Sequence, residues 1–302
     1  MKRLLRPTDD IAVPPLRFRD AHGIERAELH PDIMIDLHSH ILPGLDDGAA
    51  DWERSLAMAQ HAVADGIAEI VCTPHWVPGK YENQRTEILA RLEEFRARIA
   101  EAGIPLVLHP GAELHLDAHL AARIRSGELL TLADGGRYIL LELPEEALPD
   151  GMEDFFWNLQ LEGFRPILSH VERNPVLRRD PARLLRWVES GVLTQITAAS
   201  LAGRFSNGTR EFAVQLLKQR LAHILATDAH GMSTRKPELA AARKEVEDLV
   251  GVEAASRMVR ETPERILRGE SVEPPEPLPF EEPSKGIPFM KRLQALLRGS
   301  GL

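Results

Sequence analysis

Short apolar runs alternate with longer amphipathic stretches between about residues 33 and 268. Runs rich in Ile, Val and Leu are typical of buried strands, and apolar residues at helical spacing are typical of helices that cover a sheet. The predicted strands are residues 33–37, 67–73, 104–109, 138–143, 164–169, 192–196 and 222–227. The predicted helices are residues 51–65, 83–102, 153–162, 181–190, 208–220, 234–250, 252–260 and 262–268.

Glycine marks several of these helix ends just before the next strand, as at Gly66, Gly103, Gly163 and Gly191. A residue that adopts a left-handed conformation commonly ends a helix, and glycine does so without steric cost. Alternation of strands and helices at this spacing predicts parallel βα units. Seven such units favour an α/β fold built as a (β/α)7 barrel, and an open doubly wound sheet is the competing layout.

The two ends of the chain differ from this alternating region. Residues 1–33 are polar and irregular and are predicted to be an N-terminal extension, with Met34 as a candidate translation start. Residues 34–268 form the predicted domain. Residues 269–302 begin with a proline-rich linker and end in a short amphipathic basic helix near 289–298. That helix is expected either to dock on the domain or to contact a membrane surface or a partner.

The composition is that of an ordinary globular protein, with 302 residues, 43% of them hydrophobic and 27% charged. A formal net charge of −9 argues against nucleic-acid binding, which is dominated by cationic side chains. A single cysteine, Cys72, excludes an intramolecular disulfide and fits a reducing compartment. Because the first residues also lack the apolar segment of a signal peptide, the cytoplasm is the expected location.

Metal-ligating side chains occur at the ends of most predicted strands. His38 and His40 follow the first strand, and alternation of side chains along a strand turns both rings to the same side. In a barrel, the carboxyl ends of the strands meet on one face, where the active site is formed. The other candidates of this kind are Asp46, Asp47, His75, Glu113, Glu142, His170, Asp228 and His230. The sixth predicted strand leads to Gln195 and offers no strong ligand.

The ligand types indicate which metals would bind. Imidazole and carboxylate without thiolate suit manganese, iron or zinc. Glu142 lies within an apolar strand, where a free carboxylate would be costly to bury and a metal ion would remove that cost. Several carboxylates in one site favour a multinuclear cluster.

The ordered motifs resemble those of the PHP (polymerase and histidinol phosphatase) domain. More narrowly, they are similar to the bacterial CpsB/YwqE-type protein-tyrosine phosphatases of capsule and exopolysaccharide loci. The similarity covers residues 34–268. The motifs are Met34-Ile-Asp-Leu-His-Ser-His-Ile-Leu-Pro-Gly-Leu-Asp-Asp-Gly48, Thr73-Pro-His75, Gly111-Ala-Glu113, Leu141-Glu-Leu-Pro144, Ser169-His-Val-Glu-Arg173 and Thr227-Asp-Ala-His230.

This resemblance implies a distorted PHP-type barrel that holds two to three divalent metal ions, with Mn²⁺ expected and Fe or Zn as alternatives. It assigns one ion to His38, His40, Glu113 and Asp228. It assigns a second ion to Glu113, Glu142 and His170. It assigns a third to Asp47, His75 and His230, with Asp46 as the rival of Asp47. It also implies that Arg173 and Arg235 hold the phosphate.

The implied activity is hydrolysis of phosphotyrosine on a membrane-associated bacterial tyrosine kinase that regulates capsular or exopolysaccharide synthesis. The alternatives are another PHP phosphoesterase, namely a histidinol-phosphate-like phosphatase or a nuclease, and a metal-binding regulatory module without turnover. A cysteine-dependent phosphatase is disfavoured, because Pro78 stands six residues after Cys72 where an arginine is required. Cys72 is therefore expected in the core. The oligomeric state is left open by the sequence.

Overall fold

Residues 33–279 are described by the computed structural model, together with the backbone of residues 17–19 and 25–27. Most of the predicted N-terminal extension and the predicted helix near 289–298 lie outside the described residues. The strands are β1 (Arg17–Arg19), β2 (Glu25–Ala27), β3 (Met34–Ser39), β4 (Ile67–Cys72), β5 (His75–Val77), β6 (Tyr81–Glu82), β7 (Val107–Pro110), β8 (Glu113–His115), β9 (Tyr138–Glu142), β10 (Arg165–Leu168), β11 (Leu193–Thr197) and β12 (Ile224–Ala226).

Helices separate most of these strands, as the periodicity predicts. The α-helices are α1 (Trp52–Ala64), α2 (Arg85–Glu101), α3 (Leu120–Arg125), α4 (Met152–Leu161), α5 (Pro175–Arg179), α6 (Pro181–Glu189), α7 (Ala198–Leu201), α8 (Asn207–Lys218), α9 (Ala240–Val250), α10 (Val252–Ser256) and α11 (Thr262–Leu267). A 3-10 turn covers Leu132–Asp134, and a π-helical segment covers Arg257–Glu261. In the described part of the chain, no helix is long and apolar enough to cross a membrane.

The strands form two sheets and a small antiparallel pair, β1–β2. One sheet has the order β3-β4-β7, and the other has the order β12-β11-β10-β9-β8-β5-β6. Within these two sheets every strand pair is parallel except β5–β6. Parallel strands joined by helices confirm the α/β class. Because the strands are divided between two sheets, the pairing does not by itself confirm the predicted single (β/α)7 barrel.

The two sheets are linked at their ends. The chain passes from β4 into β5 through Pro74, and from β7 into β8 through Gly111, so the same two segments contribute strands to both sheets. The end of β3 also meets the end of β12: His38 O accepts a hydrogen bond from Asp228 N at 2.9 Å, and His40 N donates one to Ala229 O at 2.8 Å. The carboxyl ends of β3 and β12 are therefore held side by side.

Burial follows the apolar pattern. In β9, Ile139, Leu140 and Leu141 are all buried, as expected for a parallel strand covered on both faces. On α2, Ile88, Leu92, Phe95 and Ile99 recur at helical spacing and form its buried face. Burying each such side chain contributes roughly 1.5–3 kcal/mol.

One helix boundary is corrected by the structure. The helix predicted from residue 234 begins at Ala240. The proline-rich segment is extended as predicted, but residues 269–278 lie against the domain. Glu270 O accepts a hydrogen bond from the Tyr138 hydroxyl at 2.6 Å, and Leu278 N donates one to Gln219 O at 2.9 Å.

Candidate metal centre

The candidate centre is built on the joined ends of β3 and β12. The buried carboxylate of Asp36 accepts hydrogen bonds from Thr227 N at 2.9 Å and from Thr227 Oγ1 at 2.5 Å. Burial raises the pKa of Asp36 to about 6, against the effect of these donors. This contact ties the first strand of the predicted domain to its last and fixes the positions of the two ligand-bearing segments that follow.

The first cluster contains two imidazoles and two carboxylates. His38 Nε2 and His40 Nε2 are 3.0 Å apart. Glu113 Oε2 lies 3.2 Å from His38 Nε2 and 3.4 Å from His40 Nε2. Asp228 Oδ1 lies 3.4 Å and 3.5 Å from the same two nitrogens. All four side chains are buried, so water does not screen these groups.

The hydrogen bonds made by Nδ1 of His38 and His40 determine whether Nε2 of each ring carries a proton or a lone pair. His38 Nδ1 lies 2.8 Å from Gln195 Oε1, and His40 Nδ1 lies 2.7 Å from Asp46 Oδ2. Both oxygens are acceptors, so each Nδ1 carries the proton in a neutral ring. The two Nε2 lone pairs then face each other and the carboxylates. Such a set of converging acceptors requires a cation.

A second group of ligand atoms lies around the carboxylates of Glu113 and Glu142. His170 Nε2 lies 3.0 Å from Glu113 Oε1 and 3.6 Å from Glu142 Oε1. His75 Nδ1 lies 3.1 Å from Glu113 Oε2 and 3.6 Å from Glu142 Oε2. Burial, followed by the neighbouring charge of Glu113, raises the pKa of Glu142 to about 7. Glu113 is therefore shared between the two groups, as a bridging ligand would be.

A third group lies at the outer side of the cluster. Asp47 Oδ1 is 3.6 Å from His75 Nε2 and 3.4 Å from His230 Nε2. With His40, these residues offer ligand atoms that all lie within 4.8 Å of one another. Asp46 points elsewhere and accepts hydrogen bonds from His75 N at 2.8 Å and Gly48 N at 2.9 Å. The geometry thus favours Asp47 as the ligand, whereas Asp46 orients the His40 ring through its hydrogen bond to Nδ1.

Three buried atoms of these groups have no hydrogen-bond partner: His75 Nδ1, Glu113 Oε2 and His230 Nε2. Unpaired buried polar atoms are costly, and three of them in one cluster fit metal coordination. A proton is the competing cation. Burial disfavours a charged His40 ring, but the Asp46 carboxylate outweighs it and places the pKa of His40 well above its usual value. One proton satisfies one acceptor, whereas these three buried atoms all lack a hydrogen-bond partner.

Two of the candidate ligands have strained backbones. His170 has φ +32° and Asp228 has φ +49°, a region that non-glycine residues rarely adopt. Strain of this kind persists where surrounding structure enforces it, and it is concentrated at functional sites. At this site it turns both side chains toward Glu113 and His38.

The two predicted phosphate-binding arginines lie at the cluster and converge on one oxygen. Arg173 Nη1 and Arg235 Nη1 donate to Asp228 Oδ2 at 2.6 Å and 3.0 Å. The Arg173 guanidinium also lies 4.7 Å from the centre of the Phe205 ring. Both arginine side chains are partly exposed. Their role in phosphate binding remains a prediction, and the structure adds that they hold Asp228.

A cleft of about 300 Å³ opens onto the cluster. At its edge, the Tyr81 ring stacks on His75 with ring centres 5.8 Å apart, and Lys80 Nζ lies 4.7 Å from the Tyr81 ring centre. Lys80 and His115 also line this cleft, although neither was predicted from the sequence as a site residue. Gln195 was also missed as a partner of His38. Its place at the end of a predicted strand was the one available signal.

Cys72 is buried in the core, as predicted, and it does not line the cleft. Burial raises the pKa of its thiol far above the ordinary range. A thiol that stays protonated is a poor nucleophile. This cysteine therefore has neither the position nor the ionisation that covalent phosphate chemistry requires.

Comparison with known families gives one match that spans most of the chain. Residues 34–268 match the family described as "Capsular polysaccharide synthesis, CpsB/CapC". The chain is 37% identical over 247 residues to "Tyrosine-protein phosphatase YwqE" from Bacillus subtilis (strain 168), covering 81% of this chain and 96% of that protein.

Solved structures show the same relationship. A chain from the crystal structures of YwqE from Bacillus subtilis and CpsB from Streptococcus pneumoniae, called there unique metal-dependent tyrosine phosphatases, superposes with a TM-score of 0.78 at 36% identity. The superposition covers 82% of this chain and all of that chain. The phosphotriesterase homology protein from Escherichia coli gives a TM-score of 0.53 at 12% identity, over 79% of this chain and 100% of that one, and shares the fold alone.

Proposed function

The chain belongs to the CpsB/CapC family of capsular polysaccharide synthesis, and we propose that it is a metal-dependent protein-tyrosine phosphatase. The observation that carries the proposal is the convergence of imidazole nitrogens on both oxygens of Glu113. Its relatives are named tyrosine-protein phosphatases, and a solved relative at 36% identity is called metal-dependent. Site and family point to the same chemistry.

We propose that two to three divalent ions, Mn²⁺ foremost and Fe or Zn as alternatives, bind the three groups of ligands. Bound divalent ions supply Lewis-acid stabilisation of phosphoryl oxygens and activate water. Three such ions would exceed the charge of the four carboxylates and attract a phosphoryl dianion. The ligands would be His38, His40, Asp47, His75, Glu113, Glu142, His170, Asp228 and His230.

The residues around these ligands would orient them and bind the substrate. Gln195 and Asp46 hold the His38 and His40 rings with Nε2 turned inward. Arg173 and Arg235 share Asp228 Oδ2 and line the cleft, so each guanidinium has further N–H donors for phosphate oxygens. Held in this way, a phosphate ester would be positioned for attack by water.

Selectivity for phosphotyrosine would come from the edge of the cleft. Glu113 is fully buried, whereas Phe205 is 37% exposed, so the cluster lies below an aromatic side chain that reaches the surface. Tyr81 adds a second ring at the cleft. A phosphotyrosine side chain carries its phosphate farther from the backbone than phosphoserine does, and its ring can pack on these aromatic groups.

The strand pairing supports a finer description of the fold. If β4 with β5, and β7 with β8, are each counted as one bent strand, seven parallel strands follow one another from β3 to β12. The bridge between Ser39 and Ala229 joins the last to the first. We propose on this basis the distorted (β/α)7 barrel and a domain over residues 34–268, flanked by segments 1–33 and 269–302.

The proposed substrate is a phosphorylated bacterial tyrosine kinase that controls polysaccharide synthesis, because the family is named for capsular polysaccharide synthesis. We propose the cytoplasm as the location, since the single cysteine is unpaired and fits a reducing compartment. A contact of residues 289–298 with a membrane or partner stays a prediction.

The deciding experiment compares substrates on purified, metal-analysed protein. We expect hydrolysis of a phosphotyrosine peptide to exceed that of the matched phosphoserine peptide, histidinol phosphate and an oligonucleotide. Chelation should abolish the activity, and added Mn²⁺ should restore it. Faster turnover of histidinol phosphate or the oligonucleotide would assign a different PHP activity to the same site. Full metal loading without turnover of any substrate would instead indicate a regulatory module.

A further inference from the structure

A second cavity lies at the opposite end of β12 from the metal centre. Asp228 follows this strand at its carboxyl end, whereas His223 immediately precedes it and lines a cavity of about 590 Å³. That volume is within the range of sites for small organic molecules. The proposed phosphatase chemistry uses none of the residues around it. Its walls are Leu217, Lys218, Arg220, Ala222, His223, Val250, Glu253, Ala254, Arg257, Met258, Thr262, Val272, Pro274, Pro275 and Leu278.

His223 presents a buried ring N–H that makes no hydrogen bond of normal distance and angle, although the Arg220 carbonyl lies nearby. Its side chain is 5% exposed, and Nδ1 accepts a hydrogen bond from Thr194 N at 3.0 Å. In the neutral ring the proton must therefore be on Nε2. Nε2 is buried and has no hydrogen-bond partner. Because Nδ1 is turned toward β11, the ring edge that carries Nε2 is the one available to the cavity.

The ring is expected to be neutral at physiological pH. Burial, assisted by the charge of Arg165, lowers the pKa of His223 to about 4, although the nearby Arg220 carbonyl acts in the opposite direction. The buried N–H is consequently a fixed donor. A buried donor without an acceptor is destabilising unless a ligand or water satisfies it.

The charged side chains around the cavity are mostly cationic. Lys218, Arg220 and Arg257 line it, and none of the three forms an ion pair with a residue that the structure describes. Glu253 is the one carboxylate in the lining. This excess of positive charge is local, because the whole chain carries a formal charge of −9. An anion would be attracted to this end of the molecule.

The remaining walls are apolar. Leu217 from α8, Met258 from the π-helical segment and Leu278 from the proline-rich segment enclose the cavity from three sides. Leu278 is held in place by the hydrogen bond from its backbone N–H to Gln219 O. Inorganic phosphate alone would leave these surfaces in contact with water. A ligand with an apolar body would cover them.

We propose that this cavity binds a small amphipathic anion, with a carboxylate or phosphate group on His223 Nε2–H and the surrounding cations, and an aliphatic body against Leu217, Met258 and Leu278. The proposal is independent of the metal centre. It assigns the second site to residues that lie at the amino end of β12 and in the segments packed beneath it.

The test uses the full-length, zinc-loaded protein with ¹³C-methyl methionine. Met258 reports on the cavity, and Met232, which lies beside the metal-centre loop, reports on the other site. Octanoate, octyl phosphate, octanol and inorganic phosphate are titrated in turn. We expect saturable shifts of the Met258 signal with octanoate or octyl phosphate, and much weaker ones with octanol and inorganic phosphate. The stronger of the first two identifies the preferred headgroup.

Matched variants locate the headgroup. In His223→Asn the shorter amide keeps an acceptor for Thr194 N but loses the Nε2–H donor, so affinity for the preferred probe should fall about tenfold. Arg257→Ala, a partly exposed change that should not disturb folding, should also weaken binding. Arg186→Ala, which removes an exposed cation away from the cavity, should leave it unchanged.

Three results would each overturn the proposal. The first is the absence of a saturable Met258 shift with either anionic probe. The second is equal binding of octanol and the third is unchanged affinity in both His223→Asn and Arg257→Ala, because each of these would mean that no headgroup is recognised. Phosphotyrosine hydrolysis should be retained in both variants, so failure of this proposal is separate from failure of the phosphatase assignment.

Discussion

The two ends of β12 have opposite electrostatic character. At its carboxyl end, imidazole and carboxylate acceptors outnumber the donors that reach them: Arg173 and Arg235 both donate to Asp228 Oδ2, and Glu113 Oε2 has no partner, so the group suits cations. At its amino end, His223 Nε2 and three unpaired cationic side chains present donors without acceptors, and they suit an anion. Acceptors in excess therefore mark one site, and donors in excess mark the other. The contrast predicts that the balance of donors and acceptors, more than cavity size, determines what each site binds.

The largest effect should come from Glu113→Ala, which removes the carboxylate shared by two groups of acceptors. We expect activity to fall by about a thousandfold or more and the metal content per chain to drop. Metal analysis and phosphotyrosine turnover measure this. Glu69→Gln is the matched control, because Glu69 is also buried but pairs with His109 at 2.7 Å outside the site. Full loading and turnover in Glu113→Ala would refute the assigned centre.

Arg235→Ala tests whether the cation-binding end also binds the anionic substrate. Removal of a donor to the phosphate should lower kcat/KM about a hundredfold with little change in the free energy of unfolding. Metal content separates two roles of this residue. If metal is retained, the arginine acts on the substrate, whereas loss of metal means that it acts by holding Asp228. Arg186→Ala serves as an exposed-arginine control.

Asp46→Asn should have an intermediate effect. The amide weakens the hydrogen bond that orients His40, and changes of this kind lower metal affinity or activity roughly tenfold. Asp47→Asn should cost more, because it replaces a candidate ligand. Metal titration of both variants measures the difference. The reverse order of effects would make Asp46 the ligand and exchange the two roles.

The pH dependence of the unfolding free energy tests the protonation state of His223 at the amino end of β12. Its pKa is lowered from 6.5 to about 4, so the unfolded chain binds more protons between these values and stability falls as pH decreases through that window. Comparing unfolding free energies of the parent protein and His223→Asn should show a difference that shrinks by up to about 3 kcal/mol from pH 7 to pH 4. A pH-independent difference would mean that the ring is not held neutral.

Cys72→Ser should have the smallest effect, because Cys72 is buried in the core and does not line the cleft. We expect nearly unchanged phosphotyrosine turnover and a stability loss of about 1 kcal/mol from a hydroxyl in an apolar strand. Cys72→Ala separates the polarity of serine from the loss of volume. Lost turnover in a well-folded Cys72→Ser protein would favour covalent chemistry over metal chemistry.

The clustering of the candidate ligands was predictable because these residues recur at strand ends, where elementary geometry brings them together. Glu113 and His170 are far apart in the sequence, yet both follow apolar runs. The choice between Asp46 and Asp47 was not predictable from spacing. It depends on which carboxylate the turn directs at the backbone N–H groups of Gly48 and His75.

The parts that escaped prediction depend on long-range pairing. Gln195 is a neutral amide, and its role appears once β11 places it beside His38, 157 residues away in sequence. The amino-end cavity has no motif at all, since its walls come from α8, from the consecutive helical segments between α9 and α11, and from an extended segment. Helix α9 begins later than predicted because residues 231–239 adopt bends and irregular backbone, with Pro237 among them.

The hydrogen bonds between Asp36 and Thr227 have a consequence for biosynthesis. They join residues 191 positions apart, so the first ligand-bearing segment to be synthesised cannot be fixed in position until one of the last has been synthesised. Contacts of such sequence separation form late, because closing the intervening loop is entropically costly. A nascent chain or a fragment that ends before Thr227 consequently lacks an assembled centre. Metal uptake, and with it any hydrolysis, should begin only when the domain is complete.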